Sequence, residues 1–356
     1  MRGSDGYSYA VGKVKALESK LMDPNAIQRM IDAPDFEEAL RFLGDTDYSG
    51  KLGKSDFEAA VSEVIREVNI EVASFSPDPY FTGMFHAGQD FLRLKAALKG
   101  ELLARAGLDR IAGVPDIYGW TPREETDSIA HAAVEDEQDS PASGLMNVEE
   151  AQLSEADRLS RSLKQAAFSA VRGYRAQGGD PLEIDIAIDR EFFAYLSDMA
   201  SSRRAVWAQK LLAARADMAN IMLVIRAAAS GKDPAYVRSA IVPGGSFDED
   251  VLMGCSIEGE PRIRRALEGS AYWGRISAKY EEWARDSAIR PLEMAFERLV
   301  SGIEKEAKVV TEGYVPVMGY LLMKQRESEI LRRVLSGKAK SLPPKFIRER
   351  LSEGDA

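Results

Sequence analysis

A helical unit that recurs along the chain constrains the fold more than any single residue, because a repeated supersecondary unit sets the architecture before local detail is read. Asp90-Phe91-Leu92-Arg93-Leu94-Lys95-Ala96-Ala97-Leu98-Lys99-Gly100 leads into a second helical stretch ending near Ile111. Asp217 to Arg226 runs on through Gly231-Lys232 to a stretch ending near Ile241. Glu327 to Lys338 passes Pro343-Pro344 and continues as Phe346 to Leu351. Each copy is an acidic residue, an apolar-basic helix, a glycine-containing break and a further amphipathic helix. The first two copies end alike, in Ile117-Tyr118-Gly119-Trp120-Thr121 and Val242-Pro243-Gly244-Gly245-Ser246.

A second echo joins Ala39-Leu40-Arg41-Phe42-Leu43-Gly44-Asp45-Thr46-Asp47-Tyr48 to Ile263-Arg264-Arg265-Ala266-Leu267-Glu268-Gly269-Ser270-Ala271-Tyr272, with Leu, Thr or Ser, and Tyr at matching places. Duplication explains this better than chance. The expectation is an all-α chain of three related bundles of roughly 110 to 120 residues, each near the usual domain size. Residues 1–120 form the first, 121–245 an acidic linker and the second, and 246–356 the third. Bundle after bundle about a shared axis makes a ring or funnel with pseudo-threefold symmetry.

Local periodicity agrees. Leu153, Ala156, Leu159, Leu163, Ala167 and Tyr174 fall on one stripe of a 3.6-residue helix that Gly178, Gly179 and Pro181 end. A longer helical segment runs from about Arg190 to Ser230, carrying Trp207, Leu211, Met218 and Ile225 at the same spacing. Glu183-Ile184-Asp185-Ile186-Ala187-Ile188-Asp189 alternates as a half-buried strand would, but a lone strand leaves its backbone groups unpaired, so it reads as a connector or the start of a helix. Between Thr121 and Ser160 eleven acidic residues stand against Arg123 and Arg158, which reads as a solvated linker.

Composition excludes several function classes. The 356 residues are 45% hydrophobic and carry 47 Lys+Arg against 57 Asp+Glu, a net charge of −10. That apolar content suffices for a core, while the acidic balance offers no basic face for nucleic acid. Uncharged apolar runs such as Met218 to Ile225 and Gly313 to Met323 are too short to span a bilayer. The N-terminus lacks the apolar run of a secretory signal, and one cysteine, Cys255, cannot form an internal disulfide. The expectation is a cytoplasmic protein.

Catalytic patterns are absent from the sequence. His86, His131 and Cys255 are too dispersed to write a metal-ligand motif, so neither metal nor cofactor is expected. Gly50-Lys51-Leu52-Gly53-Lys54-Ser55 resembles a phosphate loop, but the pattern needs Gly at position 48, which is Tyr48. The segment reads instead as a turn with Ser55 capping the next helix and Glu58 at the capping-box position. Asp90, Asp217 and Glu327 recur with Arg93, Arg226 and Arg333 nearby. Ion pairing that fixes each bundle is the favoured reading, with partner contact as the rival. Trp120, Trp273 and Trp283 read as core rather than as interface anchors.

Three stretches carry a family resemblance: Tyr7 to Leu21 (YSYAVGKVKALESKL), Glu38 to Tyr48 (EALRFLGDTDY), and Gly337-Lys338 through Leu342-Pro343-Pro344-Lys345-Phe346-Ile347-Arg348-Glu349-Arg350-Leu351. Together, and in this order, they resemble the C subunit of the prokaryotic V-type (A-type) ATPase, whose eukaryotic counterpart is the d subunit. The resemblance implies an all-helical funnel on the cytoplasmic face of the membrane rotor ring. The shaft subunits D and F would seat in it, and its opposite face would rest on the proteolipid ring. Torque would then pass between ATP hydrolysis or synthesis and ion transport, with no catalytic residue in this chain.

Interface candidates are the repeated helix starts and the basic C-terminal segment: Asp90, Arg93, Asp217, Asn220, Arg226, Glu327, Arg333, Lys338, Lys345 and Arg348, with Lys340 and Arg350 in the same basic stretch. A generic helical adaptor and a small-molecule enzyme with a carboxylate-lined pocket are the rival classes. The repeat gives the enzyme no support.

Overall fold

The structure, a computed structural model, describes residues 5–53, 57–105, 123–136 and 155–351. Every regular element among them is a helix. In chain order these are α1 (Asp5–Leu17), α2 (Pro24–Asp32), α3 (Phe36–Leu40), α4 (Phe57–Phe75), α5 (Pro79–Arg105) and α6 (Arg123–Glu135). Next come α7 (Glu155–Ala176), α8 (Leu182–Ser202), α9 (Val206–Ala229), α10 (Pro234–Ala240) and α11 (Glu249–Glu258). The last five are α12 (Glu260–Glu268), α13 (Trp273–Asp286), α14 (Ile289–Glu306), α15 (Val315–Ala339) and α16 (Pro344–Arg350).

The described residues divide into two compact units. The first takes those up to His86 and from Ser301 onward; the second takes those between Ala87 and Val300. The stretch 246–356, read from the sequence as one bundle, therefore supplies helices to both. In the first unit α15 packs on α1, α2, α3, α4 and α16. One apolar core joins Ile27, Met30, Ile31, Phe36, Leu43 and Tyr48 to Phe57, Val61 and Val64, and to Leu331, Val334, Leu335 and Ile347. Burying each such side chain stabilises by roughly 1.5–3 kcal/mol, so the N- and C-terminal stretches fold as one body.

In the second unit α6 packs on α7, α7 on α8 and α8 on α9. The alternating isoleucines belong to α8, not a strand: Ile184 and Ile188, four apart, are buried, and Ile186 between them is half-buried. On the neighbouring stripe Asp185 and Asp189 receive Lys99 (2.7 Å) and Lys95 (2.6 Å) from α5. Two sequence readings are corrected here. Part of the acidic linker is helical, as α6, which Arg105 holds through Glu135; residues 137–154 lie outside those described. The long segment from Arg190 is two helices, broken at Arg203 and Arg204, where Arg204 takes φ +52°. No glycine or proline marks that break.

The repeat survives in detail between the second and third copies; in the first, no break falls at Gly100, because α5 runs through it to Arg105. A shift of 110 residues carries α9 and α10 onto α15 and α16, as between Pro234 and Pro344. Both long helices end in the same turn: Lys232 N–H reaches Ala227 O at 2.9 Å, and Leu342 N–H reaches Gly337 O at 2.9 Å. The left-handed residue this turn requires is Gly231 (φ +64°) in one copy and Ser341 (φ +53°) in the other. Packing across the turn is compensated in volume. A Cβ on Gly337 would stand 2.7 Å from Ile347 Cγ1, and the corresponding pair is Ala227 with the smaller Val237.

The second echo holds as well, at a shift of 224. Thr46 and Ser270 hydroxyls donate to Leu43 O (2.8 Å) and Leu267 O (2.7 Å), and accept from Tyr48 N (3.3 Å) and Tyr272 N (3.2 Å). The second helix of the first copy, the Ile117 to Thr121 ending, Trp120 and the Ser55 cap lie outside the described residues.

Candidate functional site

The recurring acids sit where the two echoes meet. In the second unit α9 places Asp217 in the core, fully buried. Its carboxylate accepts from Ser246 N (2.7 Å), Ser246 Oγ (2.6 Å), Phe247 N (3.3 Å) and Tyr272 Oη (2.6 Å). Burial, then the bond to Asp217 and its charge, raises the Tyr272 phenol above its ordinary value. One turn on, Asn220 donates to Val242 O and accepts from Val242 N, both at 2.9 Å. α9 thus holds the loop after α10 by two side chains three residues apart. Gly245 permits the approach, since a Cβ there would meet Asp217 Oδ1 at 2.4 Å.

In the first unit α15 presents Glu327 at the matching place. It accepts from Met22 N at 2.5 Å, and Met22 is the 224-shift counterpart of Ser246. Tyr48, the counterpart of Tyr272, is buried beside it. The Tyr48 hydroxyl faces Glu327 without the alignment that the Tyr272 hydroxyl has on Asp217. Burial, then the Glu327 charge, pushes this phenol well up.

Here the acid also has a cation. Lys324, 2% exposed, sends Nζ to Glu327 Oε1 (2.6 Å) and lies 3.0 Å from Asp47 Oδ2 and 4.5 Å from the centre of the Tyr48 ring. The Asp47 contact is an ion pair without hydrogen-bond alignment. Burial raises Glu327 while Lys324 holds it down.

Other sequence candidates separate by exposure. Asp90 is buried in α5, and burial pushes its carboxyl up to about 7 against the opposing charge of half-buried Arg93. Lys338 is also buried: its ammonium donates to Ile31 O and Ala33 O at the end of α2, and burial lowers its pKa. It closes a helix C-terminus and is withdrawn from the surface. Arg226, Arg333, Lys345 and Arg348 are exposed. Arg226 pairs with Glu293 and Arg348 with Asp32. The ion pairing expected of the recurring acids is found at Glu327, through Lys324 three residues earlier on the same helix, whereas Asp217 is held by hydroxyl and amide donors instead.

The remaining reactive side chains are built into helices. His86 is buried in α5 and held neutral, its pKa lowered to about 4 by burial, and the Cys255 thiol is pushed up to about 11 by burial. His131 is exposed on α6, 3.5 Å from Glu101. Trp273 and Trp283 are half-buried against Tyr280. Among the described residues no group of three or more metal-ligating side chains converges, and no helix is long and apolar enough to cross a membrane.

A chain whose buried polar groups hold helix to helix, in modules repeated along its length, has the character of a helical assembly subunit. Residues 10–350 match the ATP synthase (C/AC39) subunit family, and the chain belongs to it. It is similar to the A-type ATP synthase C subunit of Thermococcus kodakarensis, at 23% identity over 98% of this chain and 90% of that protein. The same-named subunit of Haloferax volcanii matches at 23% over 98% of both, and that of Methanocaldococcus jannaschii at 20% over 97% of this chain and 86% of that protein. The family places the chain among rotary-ATPase subunits, as an accessory rather than a catalytic one.

Proposed function

We propose that this chain is the non-catalytic central-stalk connector of a rotary V/A-type ATPase. It seats the shaft subunits D and F on the membrane proteolipid ring and transmits the torque that couples ATP hydrolysis or synthesis to ion transport. Three related bundles, residues 1–120, 121–245 and 246–356, form a funnel with pseudo-threefold symmetry, peripheral to the membrane on its cytoplasmic face. The family match carrying this reading runs from residue 10 to 350, nearly the whole chain. The recurrence of one anchor in two units supports it, because a torque coupler needs repeated stiff modules rather than a reactive pocket.

Exposure divides the interface candidates. Arg226, Arg333, Lys345 and Arg348 are proposed as partner contacts, and Asp90, Asp217, Asn220, Glu327 and Lys338 as the framework that presents them. Arg93 is assigned to the rim between the two sets.

A titration of the purified chain against purified shaft complex tests the proposal, with an ATPase assay of the chain alone beside it. One-to-one binding without intrinsic ATPase activity is the expected result. Failure of folded chain to bind either the shaft or isolated rings would return it to the generic adaptor class. Charge reversal at Arg333 and Lys345 is expected to weaken one of the two associations about tenfold while leaving the unfolding midpoint in place. Unchanged affinity for both partners would remove these residues from the interface.

A further inference from the structure

The two anchors share a backbone plan, and among their differences one pair of positions is coupled. Asp47 corresponds to Ala271 at the shift of 224, and Lys324 corresponds to Ala214 at the shift of 110. The unit whose turn carries Asp47 has Lys324 on its helix; the unit whose turn carries Ala271 has Ala214. Both anchors have an acid on the long helix, a tyrosine in the turn, and a backbone N–H given to the acid.

The units also differ in how far each turn must search. Ser246 bonds Asp217 across 29 positions, whereas Met22 bonds Glu327 across 305. Loop-closure scaling with the 3/2 power of length puts the effective concentration of the N-terminal turn at its helix about 30-fold below that of the local turn. The local turn is directed by its tether. The distant turn requires a chemical address.

We propose that Lys324 is that address: it admits the Asp47-bearing N-terminal turn to α15, and its replacement by Ala214 bars the same turn from α9. On α15, Lys324 lies between Asp47 and Glu327 and balances two carboxylates at 3.0 and 2.6 Å. Lys20 adds a second, more exposed cation 3.3 Å from Asp47. On α9 the same turn would bring Asp47 against Asp217 with no lysine at 214. A half-buried carboxylate set against a fully buried one, with no buried cation between them, is unfavourable. The ion pair thus acts on which helix receives which turn more than on total stability, since buried pairs contribute little net stability but penalise mismatched partners.

Four full-length variants test this. Lys324→Ala leaves Glu327 without a cation and Asp47 with the exposed Lys20 alone, and residues 20–53 are expected to be cleaved by protease at least tenfold faster than in the wild type. Asp47→Ala with Lys324→Ala installs the neutral pair of the other unit and is expected to restore most of that resistance. Ala214→Lys gives α9 the same address, so refolding from urea is expected to gain a slow phase, or lose native yield, as the N-terminal turn partitions to the wrong helix. Adding Asp47→Ala to Ala214→Lys should abolish that phase, which separates misdirection from simple damage at position 214. Wild-type protease resistance in Lys324→Ala, no recovery in the double variant, or a slow phase that persists without Asp47 would each overturn the proposal.

Discussion

Tyr272 and Tyr48 occupy equivalent places yet should respond oppositely to loss of the hydroxyl. The Tyr272 hydroxyl donates to a buried carboxylate at 2.6 Å, and a hydrogen bond to a charged group contributes about 1.5–3 kcal/mol. Tyr272→Phe removes that donor while Asp217 keeps both bonds from Ser246, so the expected loss is about 2 kcal/mol. The Tyr48 hydroxyl is buried without an aligned partner, and its ring, which faces Lys324, is preserved in phenylalanine. Tyr48→Phe should therefore fall between no change and a gain of about 1 kcal/mol. Urea unfolding at neutral pH provides the measurement. Trp207, Trp273 and Trp283, three of the four tryptophans, lie in the second unit, so in a Trp120→Phe background tryptophan fluorescence follows the Tyr272 anchor. Amide exchange along α15 follows the Tyr48 anchor. Separate readouts are needed because two compact units need not unfold together. Equal costs at both tyrosines, or a Tyr272→Phe effect below about 0.5 kcal/mol, would refute the contrast between a bonded and an unbonded hydroxyl.

Glycine substitutions should divide by sign. Gly319→Ala puts a Cβ 2.3 Å from Ala307 Cβ and is expected to cost about 1–3 kcal/mol, whereas Gly12→Ala, exposed in α1 with nothing within 4 Å, should stabilise by about 0.5–1 kcal/mol; thermal midpoints in opposite directions are the check. Asp90→Asn should alter the pH profile. The folded carboxyl holds its proton up to about pH 7 while the unfolded one loses it near 3.8, so Asp90 makes the wild type less stable as pH rises through that window. The stability of Asp90→Asn relative to wild type should then grow by about 4 kcal/mol between pH 4 and 8. A flat difference across that range would remove the assignment. His86, lowered to about 4, acts in the opposite sense between pH 4 and 6.5, so the difference between variants, not either curve alone, reports Asp90.

What is legible in the sequence follows from distance along the chain. Helix periodicity is local, and the repeated turn reads directly from Gly231-Lys232-Asp233-Pro234, where Asp233 caps α10 through Tyr236 N at 2.8 Å and proline opens the helix. The second echo is visible through Tyr48 and Tyr272, but nothing local ties either to an acid on a different helix. Asp217 therefore reads as a member of an ion pair, when its donors come from Ser246 and Tyr272. Lys324 escapes notice for the same reason. Its partner Asp47 lies far away in sequence, and its significance appears only once Ala214 and Ala271 are known to be its counterparts. Lys338 reads as one of the surface cations because a lysine near a helix end is ordinarily solvated; the carbonyls of Ile31 and Ala33 that bury it belong to the end of α2.

The different chemistries of the anchors suit the proposed role. In the second unit the chain from Ile241 to Gly245 runs beside the bonds to Asp217 and Asn220, so covalent and noncovalent links share any load between α10 and the turn. In the first unit no short chain spans from α16 to the turn at Met22. Load passing from α15 to the N-terminal stretch crosses the apolar core and side-chain contacts, four of them charged: Glu327 to Met22, Lys324 to Asp47, Arg332 to Glu58 at 3.1 Å, and Lys338 to the end of α2. Three of these four contacts pair opposite charges or bring a charged side chain to backbone at buried positions, and such bonds are stronger than neutral ones. A joint that lacks backbone continuity resists sliding only as well as those contacts fix its register. Charge is therefore concentrated at the noncovalent joint, while hydroxyl and amide donors suffice where the backbone already closes the module.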